Sequence, residues 1–162
     1  MRPTPDRVRE TLFNWLAPVI EGARCLDLFA GSGALGFEAA SRGADSVLMI
    51  EQQPSVANHL RQTVAELGAA DNIHVLSADA LVWMRQTPSV TPTFDVVFLD
   101  PPYQADLLSA VCVALESSAR LSAKAWVYLE SPIDTEVTLP RTWTEFRSQT
   151  AGQVRYHLLK IP

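Results

Sequence analysis

Apolar positions along this chain switch repeatedly between two periods. Val8, Leu12, Phe13, Leu16 and Ile20 recur at helical spacing behind Thr4, whose hydroxyl can cap a helix with Pro5 and Asp6 in its first turn. Residues 25–29 form a short apolar run that ends in Ala30-Gly31-Ser32-Gly33, and a helical segment continues from there to Gly43. The alternation goes on with a run at 47–50, a helix carrying Val56, Leu60, Val64 and Leu67, a run at 73–76 and a shorter helix over 79–86. A run at 94–99, a helix at 105–115 and a run at 126–129 complete it. Runs that are apolar on both faces and alternate with helices predict an α/β fold, a parallel sheet covered on both sides. The tail differs: 143–148 and 153–161 read as strands joined by Thr150-Ala151-Gly152, a hairpin that adds an antiparallel strand at the edge or end of the sheet. No repeat, linker or low-complexity tract interrupts the pattern, so residues 1–162 are expected to form one domain.

Composition narrows the class. A chain of 162 residues makes one domain that buries roughly 70% of its unfolded surface. Its 48% hydrophobic and 19% charged residues are far from the mixture that stays disordered. The formal charge of -5 leaves no global positive field, so any polyanionic partner must be held locally. Eleven of the 13 cations are arginine, the planar donor that suits bidentate phosphate or carboxylate contacts. Residues 1–10 lack the apolar core of a secretion signal, and the apolar stretch 107–115 is less than half of the about 20 residues that cross a bilayer. A cytoplasmic protein with no membrane partner is expected. Cys25 and Cys112 have no clustered partner and read as core thiols, with neither disulfide nor metal site.

Ligands of open α/β sheets bind at the carboxyl ends of the strands, where the strand order reverses. Four such ends carry acids here: Asp27, Glu51, Asp79 and Asp100. Each alone is as well explained by capping the helix that follows; four together point to a ligand. Gly31 to Gly36 reads G-S-G-A-L-G, a formal match to the dinucleotide fingerprint, with Glu51 where a ribose-binding acid belongs. Charge separates the two cofactors that such a loop admits. A dinucleotide would set its pyrophosphate beside Asp27 and Asp100, which repel it, whereas S-adenosylmethionine brings a sulfonium and an ammonium that the same carboxylates stabilise. Glu51 then accepts from the ribose hydroxyls and Asp79 from the adenine amine. Asp100-Pro101-Pro102-Tyr103 is the more specific motif, stiff and rich in acceptors because neither proline has an N–H. The Asp100 side chain and the Pro101 carbonyl can grip both hydrogens of an aromatic amine, and Tyr103 can stack on its ring. His59, His74 and His157 have no spacing that pairs them with a nucleophile or a metal, Ser32 lacks a hydrolase elbow, and Trp15, Trp83, Trp126 and Trp143 read as packing.

Arg2-Pro3-Thr4 with Val8-Arg9-Glu10-Thr11-Leu12-Phe13-Asn14, then DLFAGSGALGFEAASRGA over residues 27–44, then Asp100-Pro101-Pro102-Tyr103 resemble the bacterial 16S ribosomal RNA guanine-N2 methyltransferases of the RsmD type. The resemblance implies a Rossmann-like class I methyltransferase fold with a mostly parallel seven-stranded sheet. It also implies S-adenosylmethionine as donor, S-adenosylhomocysteine as product, no metal, and a guanine N2 amine as acceptor. Cofactor contacts would fall on Phe29, Gly31, Gly33, Glu51, Asp79 and Asp100, with Thr4 and Arg7 close by; Asp27 joins them on the charge argument. Asp100, Pro101, Pro102 and Tyr103 would carry the transfer. The implied partner is 16S ribosomal RNA or a small-subunit assembly particle, bound by a monomer. The Asp-Pro-Pro-Tyr signature is shared with DNA adenine-N6 methyltransferases, which keeps that reaction open, and the glycine loop keeps open a nicotinamide oxidoreductase. Family members carry a basic N-terminal β-hairpin before Arg-Pro-Thr that this chain is expected to lack. Arg2, Arg7 and Arg9 are left as phosphate contacts or as partners of nearby acids such as Glu10.

Overall fold

The computed structural model describes residues 6–86, 93–101 and 105–162. Five helices and seven strands follow in the order α1 (Asp6–Ile20), β1 (Arg24–Asp27), α2 (Ala34–Ser41), β2 (Ser46–Glu51), α3 (Pro54–Glu66), β3 (Ile73–Ser77), α4 (Ala80–Arg85), β4 (Phe94–Leu99), α5 (Ala105–Ser117), β5 (Leu121–Pro132), β6 (Thr144–Ala151) and β7 (Val154–Lys160). The strands form one sheet in the order β3-β2-β1-β4-β5-β7-β6. Strands β1 to β5 pair in parallel and β7 antiparallel to both β5 and β6. The chain lays β2 and β3 to one side of β1 and then crosses back to lay β4 on the other, so the strand order reverses between β1 and β4.

Side chains of one strand alternate between two faces, and each face has its own apolar layer. Val8, Leu12, Phe13 and Leu16 of α1 pack with Cys25, Met49, Leu60, Phe98 and Tyr128 on one face. Met84 of α4 and Val111, Cys112 and Leu115 of α5 pack with Leu26, Ile50, Val97, Leu99 and Val127 on the other. The α1 face was legible because its buried residues are the ones whose spacing predicts it.

Three expectations need correction. Leu67 is 64% exposed, because α3 ends at Glu66 and Gly68 takes a left-handed φ of 65°, so the helical period outlasts the helix. The buried stripe of α3 is Ala57, Leu60 and Val64. β3 is an edge strand, exposed at His74, Leu76 and Ser77, rather than a run buried on both faces. β5 is three times the length of its apolar run: a register shift opposite Phe94 and Val96 admits Leu121, and its far end, Glu130 to Pro132, pairs with β7. The expected hairpin is present, but its second strand enters the sheet interior and leaves β6 at the edge.

Candidate active site

Register places the acids. Asp27 lies opposite Met49 of β2 and Phe98 of β4, so Glu51 and Asp100, each two residues further along, share its face at the carboxyl edge. Between β1 and α2 the chain turns sharply. Gly31 has a φ of 54° and Gly33 of 83°, and a Cβ on Gly33 would stand 2.5 Å from the Phe37 ring and 2.8 Å from Leu60. Ala30 N–H donates to the Ile50 carbonyl at 3.0 Å and Gly33 N–H to the Ala30 carbonyl at 2.8 Å, which fixes the loop against the sheet. Glu51 is 7% exposed and accepts one backbone N–H on each oxygen, from Gly31 at 3.0 Å and from Gln53 at 2.8 Å.

Helix α2 begins at Gly33 with no side-chain cap of its own. Asp27 takes that role from the neighbouring strand: its carboxylate, 2% exposed, accepts from the N–H groups of Gly36 and Phe29. Burial pushes its pKa up to about 7, the two N–H groups pull the other way, and the charge of Glu51 adds to the rise. Asp79 caps α4, accepting from Val82 N–H at 3.0 Å. Asp27 and Asp79 thus each cap the helix that follows their strand.

A cavity of about 490 Å³ opens between these groups, lined by Asp27, Phe29, Gly31, Glu51 and Asp100, well within the size of a cofactor site. Phe29 and Glu51 also border a second cavity of about 130 Å³, where Asp79 stands. Asp100 is half-buried and Pro101 buried at the end of β4. Arg7 is exposed on α1, while Arg9 is engaged by Asp6 at 2.8 Å and Glu38 at 3.6 Å. Thr4, Pro102 and Tyr103 lie outside the described residues, as does Arg2. Gln53, Val56 and His59 line the larger cavity from the N-cap and first turns of α3. Their three-residue spacing marks one helix face, a signal present in the sequence but masked by the mixed polarity of the residues. Trp15 stacks on Tyr156, Trp83 lies beneath the Arg120 guanidinium, Trp126 meets Phe146 edge-on and Trp143 is buried, all as packing. Among the described residues no three His, Cys, Asp or Glu side chains gather as a metal site, and no helix is long and apolar enough to cross a membrane.

A profile of the family described as Conserved hypothetical protein 95 matches residues 1–160. Ribosomal RNA small subunit methyltransferase D of Escherichia coli (strain K12) is 45% identical over 159 residues, 98% of this chain and 78% of that protein. The protein of the same name from Haemophilus influenzae is 42% identical, covering 98% and 82%. The chain belongs to the RsmD methyltransferase family. A solved structure, the putative methyltransferase yhhF from Escherichia coli, superposes with a TM-score of 0.91 at 42% identity, over 99% of this chain and 88% of that one. An RNA methyltransferase from Salinibacter ruber in complex with S-adenosyl-L-homocysteine shares the fold at a TM-score of 0.74 and 22% identity, over 99% and 94%. The fold of this RsmD-family chain is thus the class I methyltransferase fold, with its acidic rim at the strand ends where that fold places its ligands.

Proposed function

We propose that this protein transfers a methyl group from S-adenosylmethionine to the exocyclic N2 amine of a guanine in 16S ribosomal RNA. It would act in the cytoplasm as a single-domain monomer, on the RNA or on an assembling small subunit. The observation that carries the reading is the convergence of Asp27, Glu51 and Asp100 on one cavity, with Asp79 in the adjoining one. Such a rim repels a pyrophosphate and attracts a cation.

The donor set fits the cofactor. Asp27 and Asp100 present carboxylates to its positive centres. Glu51 has one backbone donor on each oxygen, leaving further lone pairs for the two ribose hydroxyls. Asp79 has one oxygen engaged in capping and the other available to an adenine amine in the smaller cavity. Phe29 borders both compartments, Gly31 lines the larger one, and the left-handed Gly33 lets the loop turn tightly beside it; Thr4 and Arg7 would lie nearby. Bound there, the cofactor supplies an electrophilic methyl carbon.

On the acceptor side an aromatic amine is a poor nucleophile because its lone pair is delocalised into the ring. Asp100 and the Pro101 carbonyl would hold its two hydrogens and favour the pyramidal nitrogen that attacks in line. Pro102 stiffens the loop and Tyr103 would stack on the base. The chain's membership of a family whose relatives are named ribosomal RNA methyltransferases favours RNA over DNA. The test is transfer of isotope-labelled methyl groups to small-subunit RNA and to duplex DNA in parallel, followed by nucleoside analysis. Label in N2-methylguanosine from RNA is expected; label confined to N6-methyladenosine in DNA would replace this reading with the adenine reaction.

A further inference from the structure

The cations of this chain are unevenly engaged. Among the described residues Arg9, Arg24 and Arg42 meet carboxylates, whereas none lies within ion-pair distance of Arg147, Lys160 or Lys124. Lys124 and Lys160 are the two lysines of the sequence. All three cations stand where β5, β7 and β6 run side by side, and β6 is exposed over residues 144–150. Lys160 lies opposite both Trp126 and Thr144, and the exposed Lys124 donates its backbone N–H to the Pro162 carbonyl at 3.2 Å.

A bulge builds this patch. Glu145 lies opposite Leu159 and Arg147 opposite Leu158, with Phe146 the extra residue between them. Leu159 belongs to the α5 layer, so Glu145 faces that side and meets His157 there at 2.6 Å. Leu158 belongs to the α1 layer, so Arg147 faces the other side. Phe146 faces that side too, meeting Trp126 edge-on at 4.9 Å, and two consecutive residues thus share a face that regular alternation would deny them. Each ring holds a cation: the Arg147 guanidinium carbon is 5.0 Å from the Phe146 centroid and Lys160 Nζ 5.2 Å from that of Trp126. Such contacts settle a long side chain while leaving its N–H donors unspent. Of the two acids in these strands, Glu145 is on the opposite face and Glu130 is buried, so the patch is positive on a chain of net charge -5.

We propose that Arg147, Lys160 and Lys124, set against Phe146 and Trp126, dock the phosphate backbone of the RNA substrate. This inference rests on the reading of that substrate as RNA. The cofactor rim cannot hold a polyanion, because the carboxylates that attract a sulfonium repel phosphate. Trp126 lies opposite Val96, four residues before Asp100, and β6 is three strands from β4, which sets the patch on the order of 20 Å from the rim. That exceeds the screening length of about 8 Å at physiological salt, so the patch attracts phosphates independently of the acids. The span is short against a folded ribosomal RNA, which is anchored here by its backbone while one base reaches the strand ends.

The test measures binding of unmethylated small-subunit RNA across a range of salt concentrations for Arg147→Gln, Lys160→Gln, their double variant and Arg61→Gln. Single-turnover methyl transfer, calorimetric titration of S-adenosylhomocysteine and thermal unfolding accompany it. Arg61 lies on α3 against the opposite edge strand β3 and controls for charge alone. At about 0.1 M salt the double variant should bind RNA at least about tenfold more weakly, its log-log salt slope shallower by about 1 for each cation removed. Transfer at saturating RNA and product affinity should change less than about twofold. An unchanged slope in the double variant, or an equal loss in Arg61→Gln, overturns the docking role. So does a defect seen with assembled small-subunit particles but not with free RNA, which would assign the patch to a ribosomal protein. If a glutamine variant melts early, Arg147→Lys and Lys160→Arg keep the charge and should retain the wild-type slope; a slope lost in them as well contradicts the proposal. If the wild type neither binds nor methylates the RNA, the reading of the substrate fails; if it does both and the double variant matches it, only this inference does.

Discussion

A carboxylate 2% exposed beside a second acid is expensive to keep charged, and Asp27 is held there by two backbone N–H groups that do not fully offset its burial. Its folded pKa of about 7 lies above the ordinary aspartate value of 3.8, so the folded state holds this proton more tightly than the unfolded one. Asp27 therefore reduces stability progressively as pH rises from about 4 to about 7 and by a constant amount above that, roughly 4 kcal/mol in all at 1.36 kcal/mol per unit. Asp27→Asn should melt at a higher temperature than the wild type at about pH 8 and lose most of that difference near about pH 4, as calorimetric scans across pH would measure. In the proposed complex the charge that weakens the fold faces the cation, so S-adenosylmethionine affinity should rise by up to tenfold per unit as pH climbs towards about 7, and Asp27→Asn should flatten that rise. The sequence marked Asp27 as an acid at a strand end. Its burial and shared role with α2 were not legible, since they depend on which strands flank β1.

At the level of elements, the βα junctions were the most legible features because each has a local cause. Gly33→Ala forces a side chain into a left-handed turn and against Phe37 and Leu60, and Gly36→Ala places a methyl 2.5 Å from the end of Met49 and 3.2 Å from Val47. Gly33→Ala should cost about 1–3 kcal/mol in denaturant unfolding and weaken product binding as well, since the distorted loop is the cavity wall. Gly36→Ala meets a flexible methionine end and should cost less. Asp79→Ala removes the α4 cap and should cost about 1 kcal/mol. What the sequence concealed is non-local. Glu130 and Ser131 break the apolar run of β5, so nothing along the chain marks them as buried strand; they become so only when β7 pairs with them. Leu67 misled for the opposite reason, an apolar residue in phase with α3 that stands one position past its end.

For the molecule as a whole, one topological fact does most to define the site: the strand order reverses between β1 and β4, which brings Asp27 and Asp100 to the same edge although 72 residues separate them. The glycine turn alone is compatible with two cofactor chemistries. The acidic rim around it, on a chain already at -5, chooses between them. The direct measurement is calorimetric titration of the protein with S-adenosylmethionine and, separately, with NAD at about pH 7.5. Saturable binding of the sulfonium compound with no detectable heat from NAD is predicted, and tight NAD binding with none from the sulfonium compound would contradict the account.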